Sequence, residues 1–248
     1  MTKALVTSEF LHTPHAFSTR QDGVSEGVYS SFNLGISTGD DRTKVEQNRQ
    51  AFLDAFGLTK AQVCALEQVH GNRVVEAQPG WFDEDADASV SNQADLLLII
   101  GTADCLPILF HDPVKAAIGA AHAGWRGSAL GISQKVVEKM TELYGSSPKD
   151  IRVVIGPCIQ GACYQVGEDV INEFRKAQFP EAVYQSDAEG KYRLDLVAAN
   201  RWLLEAKGVK EIHSLEECTH CDQERYYSHR RDGLKRGSHW SAIMLKAQ

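Results

Sequence analysis

Four strand-length runs of this chain are apolar at every position: residues 96–100, 108–110, 116–120 and 153–155. A strand with one face in water alternates apolar and polar side chains. A strand that does not alternate must be covered on both faces. The chain therefore needs sheets with material packed above and below. Residues 63–69 and 242–245 read as further strands. Between the strands lie a few amphipathic helices. Residues 43–56 carry capping-box spacing from Thr43 to Glu46, with Val45, Phe52 and Phe56 near one face. Ser128 is placed to cap a helix bearing Val136, Val137, Met140 and Tyr144. Residues 166–177 turn Val170, Ile171 and Phe174 inward. Asp195 is placed to cap a helix with Leu196, Ala199, Leu203 and Ala206 inward and Gly208 as its stop. Such interleaving fits a layered α/β or α+β domain.

The 248 residues contain no linker and no low-complexity tract, so a single domain over 1–248 is expected. The acidic run at 79–92, with Asp83, Glu84, Asp85 and Asp87, reads as a solvated excursion between strands. A net charge of −7 argues against a general nucleic-acid binder, which is usually basic. The first residues lack a secretory apolar core, and the most apolar run is too short to span a membrane. Six cysteines in a chain this long make no disulfide framework, so reduced thiols and a cytoplasmic location are expected.

Three residues able to bind a metal sit at strand ends. His70 closes Gln68-Val69-His70-Gly71, Cys105 lies in Thr102-Ala103-Asp104-Cys105-Leu106-Pro107, and His122 lies in Ala121-His122-Ala123-Gly124-Trp125-Arg126-Gly127. Two imidazoles and a thiolate suit zinc, and three protein ligands leave a fourth position open for chemistry. The same residues also fit a buried thiol and two hydrogen-bonded histidines. Alternation along an extended segment puts Gln68, not Glu67, on the side of His70, and leaves Asp104 behind Cys105 or facing solvent. Pro107 cannot donate to a ladder, so an irregular strand is expected there. Arg126, beside two glycines and a helix start, offers a site for a small anion or ribose; it is equally placed for a surface salt bridge. Cys218-Thr219-His220-Cys221 has the spacing of half a zinc knuckle but lacks a second pair. Cys158 and Cys163 read as unpaired loop thiols.

Taken together, these strings resemble the YfiH family, also called DUF152 or the laccase-domain, multicopper polyphenol oxidase family. The likeness also takes in Phe17-Ser18-Thr19-Arg20, Gly23-Val24-Ser25, Asn33-Leu34-Gly35, Asn48-Arg49, Ile155-Gly156-Pro157, Tyr164-Gln165-Val166, Cys218-Thr219 and Ser228-His229-Arg230-Arg231-Asp232-Gly233. It implies an α+β fold of four layers, α/β/β/α, with two mixed sheets packed face to face. It implies metal ligands at His70, Cys105 and His122. Asn33, Arg49 and Arg20 fall in matched motifs, and Asn33 and Arg49 are expected with Arg126 at the substrate. Where the family continues with a Thr-Gly-Arg-Met-like string, this chain has Leu234-Lys235-Arg236-Gly237-Ser238. That departure puts the local contacts of the tail in question.

The resemblance implies a zinc-dependent purine nucleoside enzyme. It would deaminate adenosine and phosphorolyse adenosine, inosine, guanosine and methylthioadenosine, taking nucleoside and phosphate as a monomer. Copper is the less suited ion. Multicopper oxidases use His-X-His strings, and none of the nine histidines here is two residues from another. A blue-copper site adds an axial Met, yet the methionines are only Met1, Met140 and Met244. Other readings remain open: a peptidoglycan-precursor editing amidase, a polyphenol oxidase with copper, a zinc-free Cys–His hydrolase with Cys105 as nucleophile and His122 as base, and a binding module without turnover.

Overall fold

The computed structural model describes residues 3–247, with backbone alone for 81–84. Two six-stranded sheets dominate it. The first runs Leu5–Val6, His15–Ser18, His239–Ile243, Leu97–Thr102, Val63–Glu67, Gly80–Asp85. The second runs Glu211–Ser214, Arg152–Ile155, Leu106–Asp112, Ala117–Ala123, Ala88–Ser91, Val74–Glu76. Both mix parallel and antiparallel pairs. A small third sheet joins Gln165–Gly167, Lys191–Leu194 and Tyr184–Ala188.

Alternation explains why the central strands are apolar throughout. Leu98 and Ile100 point one way, into a cluster with Leu109, Ile118, Ala120 and Val154 of the other sheet. Leu97 and Ile99 point the other way, onto Phe52 and Leu53 of helix Arg42–Asp54. In the second sheet, Ile108, Phe110, Ala121, Val153 and Ile155 face Val136, Met140, Ile171 and Leu203 of the outer helices. Three apolar clusters thus separate four layers, α/β/β/α. Each fully buried Leu, Ile or Phe contributes about 1.5–3 kcal/mol relative to exposure.

Several boundaries differ from the sequence reading. Asp41, not Thr43, caps the first helix, its Oδ1 accepting from the Thr43 amide at 2.7 Å. Ser128 caps nothing; the chain is already helical over Trp125–Ala129, and Gly131 starts Ile132–Tyr144 in a left-handed conformation. Asp195 does cap Leu196–Ala206, accepting from the Ala198 amide at 2.9 Å. The last strand is His239–Ile243 and begins earlier than expected. Pro107 sits in regular register opposite His122; the irregularity falls at Asp104, whose φ is +85°. The acidic run is not a solvated excursion. It forms strands Gly80–Asp85 and Ala88–Ser91, and Asp87 between them is fully buried. The side chains of Asp83 and Glu84 lie outside the described residues.

Candidate metal centre

The two sheets bring three chain-distant segments together. His122 stands on strand Ala117–Ala123, Cys105 just before strand Leu106–Asp112, and His70 in the turn after strand Val63–Glu67. One ligand atom from each lies within 4.8 Å of the others. The two imidazole rings meet edge to face with centroids 4.7 Å apart. His122 is buried, Cys105 half-buried and His70 exposed, so the cluster opens outward on the His70 side.

Asp87 organises this cluster, and the sequence reading missed it. Its Oδ1 bonds His122 Nδ1 at 2.7 Å and accepts from the His70 amide at 2.9 Å. Its Oδ2 accepts from the Gly71 amide at 2.6 Å. One carboxylate thereby fixes the His122 ring, leaving Nε2 to face the cluster, and holds His70 in its left-handed turn at φ +60°. Burial would raise the Asp87 carboxyl; the bonds from His122, Gly71 and His70 hold it below its ordinary value. Burial would likewise raise the Cys105 thiol, but His122 and His70 bring it down to about 6. Burial would lower His122, but the Cys105 sulfur and Asp87 carry it up to about 9. Each thus favours the charged form of the other, thiolate at Cys105 and imidazolium at His122.

The surroundings are equally committed. Gln68 clasps both backbone groups of Gly101, accepting from its N–H at 2.7 Å and donating to its carbonyl at 2.8 Å. Asp104 is buried, not solvent-facing. It accepts from Thr219 Oγ1 at 2.6 Å, Ser228 Oγ at 3.0 Å and the Arg230 amide at 2.6 Å. The Ser228–Asp232 segment therefore braces Cys105 from behind. A Cβ at Gly124 would lie 3.2 Å from both Cys105 Sγ and His70 Cδ2, a tight contact that would press on two of the three donors.

A cavity of about 340 Å³ opens over the cluster, lined by His70, Cys105, His122, Thr38, Arg236 and Ser238 among others. Arg236 is the second residue that sequence reasoning missed. Its Nε is buried without a hydrogen-bond partner, and its guanidinium lies in the field of Asp104, Cys105 and Asp232. Leu234 stands at the mouth, 82% exposed.

The residues expected at the substrate fall elsewhere. Arg126 stacks on Trp125 at 4.3 Å and lines a separate cleft with Asp169 and Glu173. Asn33 is fully buried. It donates to Thr38 Oγ1 and Asp40, and accepts from the amides of Gly35 and Ser238, holding two cavity-lining loops together. Arg49 donates to the Leu34 carbonyl at 2.8 Å and lies over Trp240 at 4.8 Å, away from the cavity. These two act on the site through the loops they hold. Arg20 likewise donates to the carbonyls of Ser30 and Gln223, outside the cavity.

A family model described as multi-copper polyphenol oxidoreductase laccase matches residues 14–246. The chain belongs to the YfiH, or DUF152, family. A purine nucleoside phosphorylase of Deinococcus radiodurans is 43% identical over 242 residues, covering 97% of this chain and 92% of that protein. The purine nucleoside phosphorylase YfiH of Escherichia coli K12 is 36% identical, covering 87% of each. Among solved structures, the YfiH protein of Bacillus licheniformis superposes with a TM-score of 0.93 at 32% identity, covering 99% of this chain and 97% of its own. YlmD of Geobacillus stearothermophilus gives 0.90 at 30% identity, covering 98% and 99%. The YfiH fold of four layers and the centre built across its two sheets go together in this chain.

Proposed function

We propose that this chain is a zinc-dependent purine nucleoside enzyme, cleaving adenosine, inosine, guanosine and methylthioadenosine with phosphate and also deaminating adenosine. The observation that carries the reading is the donor set at the floor of the cavity: two imidazoles and a low-pKa thiol, one imidazole oriented by a buried carboxylate. Relatives named purine nucleoside phosphorylase support the substrate class. The donors suit zinc, which when bound would supply a Lewis acid with one open position inside a partly desolvated pocket.

The chain's own groups have separable tasks. Asp87 keeps His122 in the tautomer that presents Nε2. Arg236 replaces Arg126 as the phosphate group, because it lines the same cavity as the donors and its buried Nε has no hydrogen-bond partner. A guanidinium there holds phosphate oxygens and offsets their charge near C1′. Phosphorolysis forms a C1′–O bond to phosphate as the C1′–N9 bond breaks, releasing ribose 1-phosphate and free base. Leu234 gives the purine face an apolar contact at the mouth. The cavity is of small-molecule size.

Steady-state kinetics of the zinc-loaded protein test this. Arg236→Met is expected to raise KM for phosphate at least tenfold and leave KM for inosine within about twofold. Leu234→Asp is expected to do the reverse. Wild-type protein that turns over no purine nucleoside would overturn the reading.

A second reading has its own support. Cys105, His122 and Asp87 are also arranged as nucleophile, base and orienting acid, with the thiol already at about 6. That hydrolase would keep its activity after chelation and form a Cys105 adduct. The nearness of His70 to both ligand atoms favours the metal.

A further inference from the structure

A second group of metal-binding side chains lies outside this centre. Strands Arg152–Ile155 and Glu211–Ser214 are parallel neighbours, and the segments leaving them run side by side. The Cys158 amide donates to the Glu217 carbonyl at 3.2 Å, and the Thr219 amide to the Cys158 carbonyl at 3.0 Å. This pairing brings Cys163 from one segment against Cys218 and Cys221 from the other. Their three sulfur atoms lie within 4.8 Å of one another, and Cys163 Sγ is 3.1 Å from Cys221 Sγ. All three thiols are free. The knuckle-like spacing of Cys218 and Cys221 thus finds its third donor in Cys163, not in His220.

We propose that Cys163, Cys218 and Cys221 form a second metal site, a three-thiolate clip for a thiophilic d¹⁰ cation, zinc or monovalent copper. A metal–sulfur distance of about 2.3 Å sets sulfur–sulfur edges near 3.8 Å, within the span these atoms occupy. Thiolate-only donor sets select this class of ion. The Gln160 backbone N–H donates to Cys218 Sγ at 3.5 Å, which fixes where that sulfur sits between the two segments. The Cys163 sulfur lies 3.1 Å from that of Cys221, so two thiolates there would repel each other unless a shared cation held them. Cys221 is exposed and gives the ion its way in. Cys158 takes no part. It is buried, and its thiol is raised well above the ordinary value. The clip would join the two segments just where Thr219 reaches Asp104 behind Cys105, so it would act as a structural staple.

The test is metal stoichiometry on the full chain, reduced and stripped by chelator. Zinc is added in one series and monovalent copper in another. Wild type is compared with Cys105→Ser, Cys221→Ser and the double variant. For at least one of the two ions, the expected equivalents are two, one, one and none. Cobalt added to Cys105→Ser should give a near-ultraviolet sulfur-to-metal charge-transfer band, and the double variant should lose it. Because Cys221 is exposed, its substitution leaves the fold intact, which circular dichroism checks; Cys163→Ser should repeat the result. One equivalent in wild type and none in Cys105→Ser, with both ions, would overturn the proposal. So would a Cys105→Ser protein whose bound metal survives loss of Cys221 and of Cys163. Neither readout depends on nucleoside turnover.

Discussion

Asp87 decides the geometry of the centre with one carboxylate, bonding the imidazole of His122 and the amides of His70 and Gly71. Asp87→Asn keeps the shape and weakens those bonds. Losses of this kind typically cost 10–100-fold in metal affinity, so zinc affinity is expected to fall by about that factor in a chelator competition, with the fold retained. Nothing in the sequence separated Asp87 from Asp83, Glu84 and Asp85 beside it. A buried carboxylate becomes visible only once strand Ala88–Ser91 is known to lie inside a sheet. Arg236 was hidden differently. It stands where the tail departs from the family's usual string, so no motif marked it. His70, Cys105 and His122 do lie together; the family resemblance singled them out, since strand ends alone fit a buried thiol and hydrogen-bonded histidines. Another residue carries a pH prediction. His239 accepts from the Tyr227 amide at 2.8 Å, and burial brings it down to about 3. Its unfolded value is near 6.5, so below that pH the unfolded chain binds a proton that the folded chain refuses. Stability contributed here falls as pH drops from about 6.5 toward 3. His15 and His111 shift the same way, each mainly through burial. Urea midpoints measured from pH 7 to 4.5 should fall less steeply for His239→Gln than for wild type. Equal slopes would show that His239 takes up its proton in the folded state.

Elements were readable to the degree that their pattern was local. The apolar strands and the helix capped by Asp195 could be placed because periodicity and cap lie within a dozen residues. The helix start near residue 125 was placed too late, because Gly124-Trp125-Arg126-Gly127 reads as a turn whereas the chain is helical from Trp125. Close approaches between elements were invisible for the same reason. Gly156, one residue past strand Arg152–Ile155, lies against Phe17 of the facing sheet. A Cβ built there would sit 2.1 Å from Phe17 Cε1. Phe17 is buried between the sheets and cannot move aside freely. Gly156→Ala is expected to destabilise the fold by about 1–3 kcal/mol through overpacking, read as a lower denaturant midpoint at unchanged slope.

For the whole molecule, doubly covered strands told of layers but not of their number. The count of four came from the resemblance, and the three apolar clusters now give its physical reason. Two sheets packed face to face place their strand ends side by side, so His70 and Cys105, 52 and 17 residues before His122 in sequence, can meet it. Among the described residues, no helix is long and apolar enough to cross a membrane. One assay tests whether this centre carries out phosphorolysis. Inosine is offered with phosphate to the stripped protein, to the same protein reloaded with stoichiometric zinc, and to reloaded Cys105→Ser, and hypoxanthine and ribose 1-phosphate are followed by chromatography. Phosphate-dependent turnover is expected only in the zinc-loaded wild type. Equal turnover by the stripped protein, or by Cys105→Ser, would contradict it.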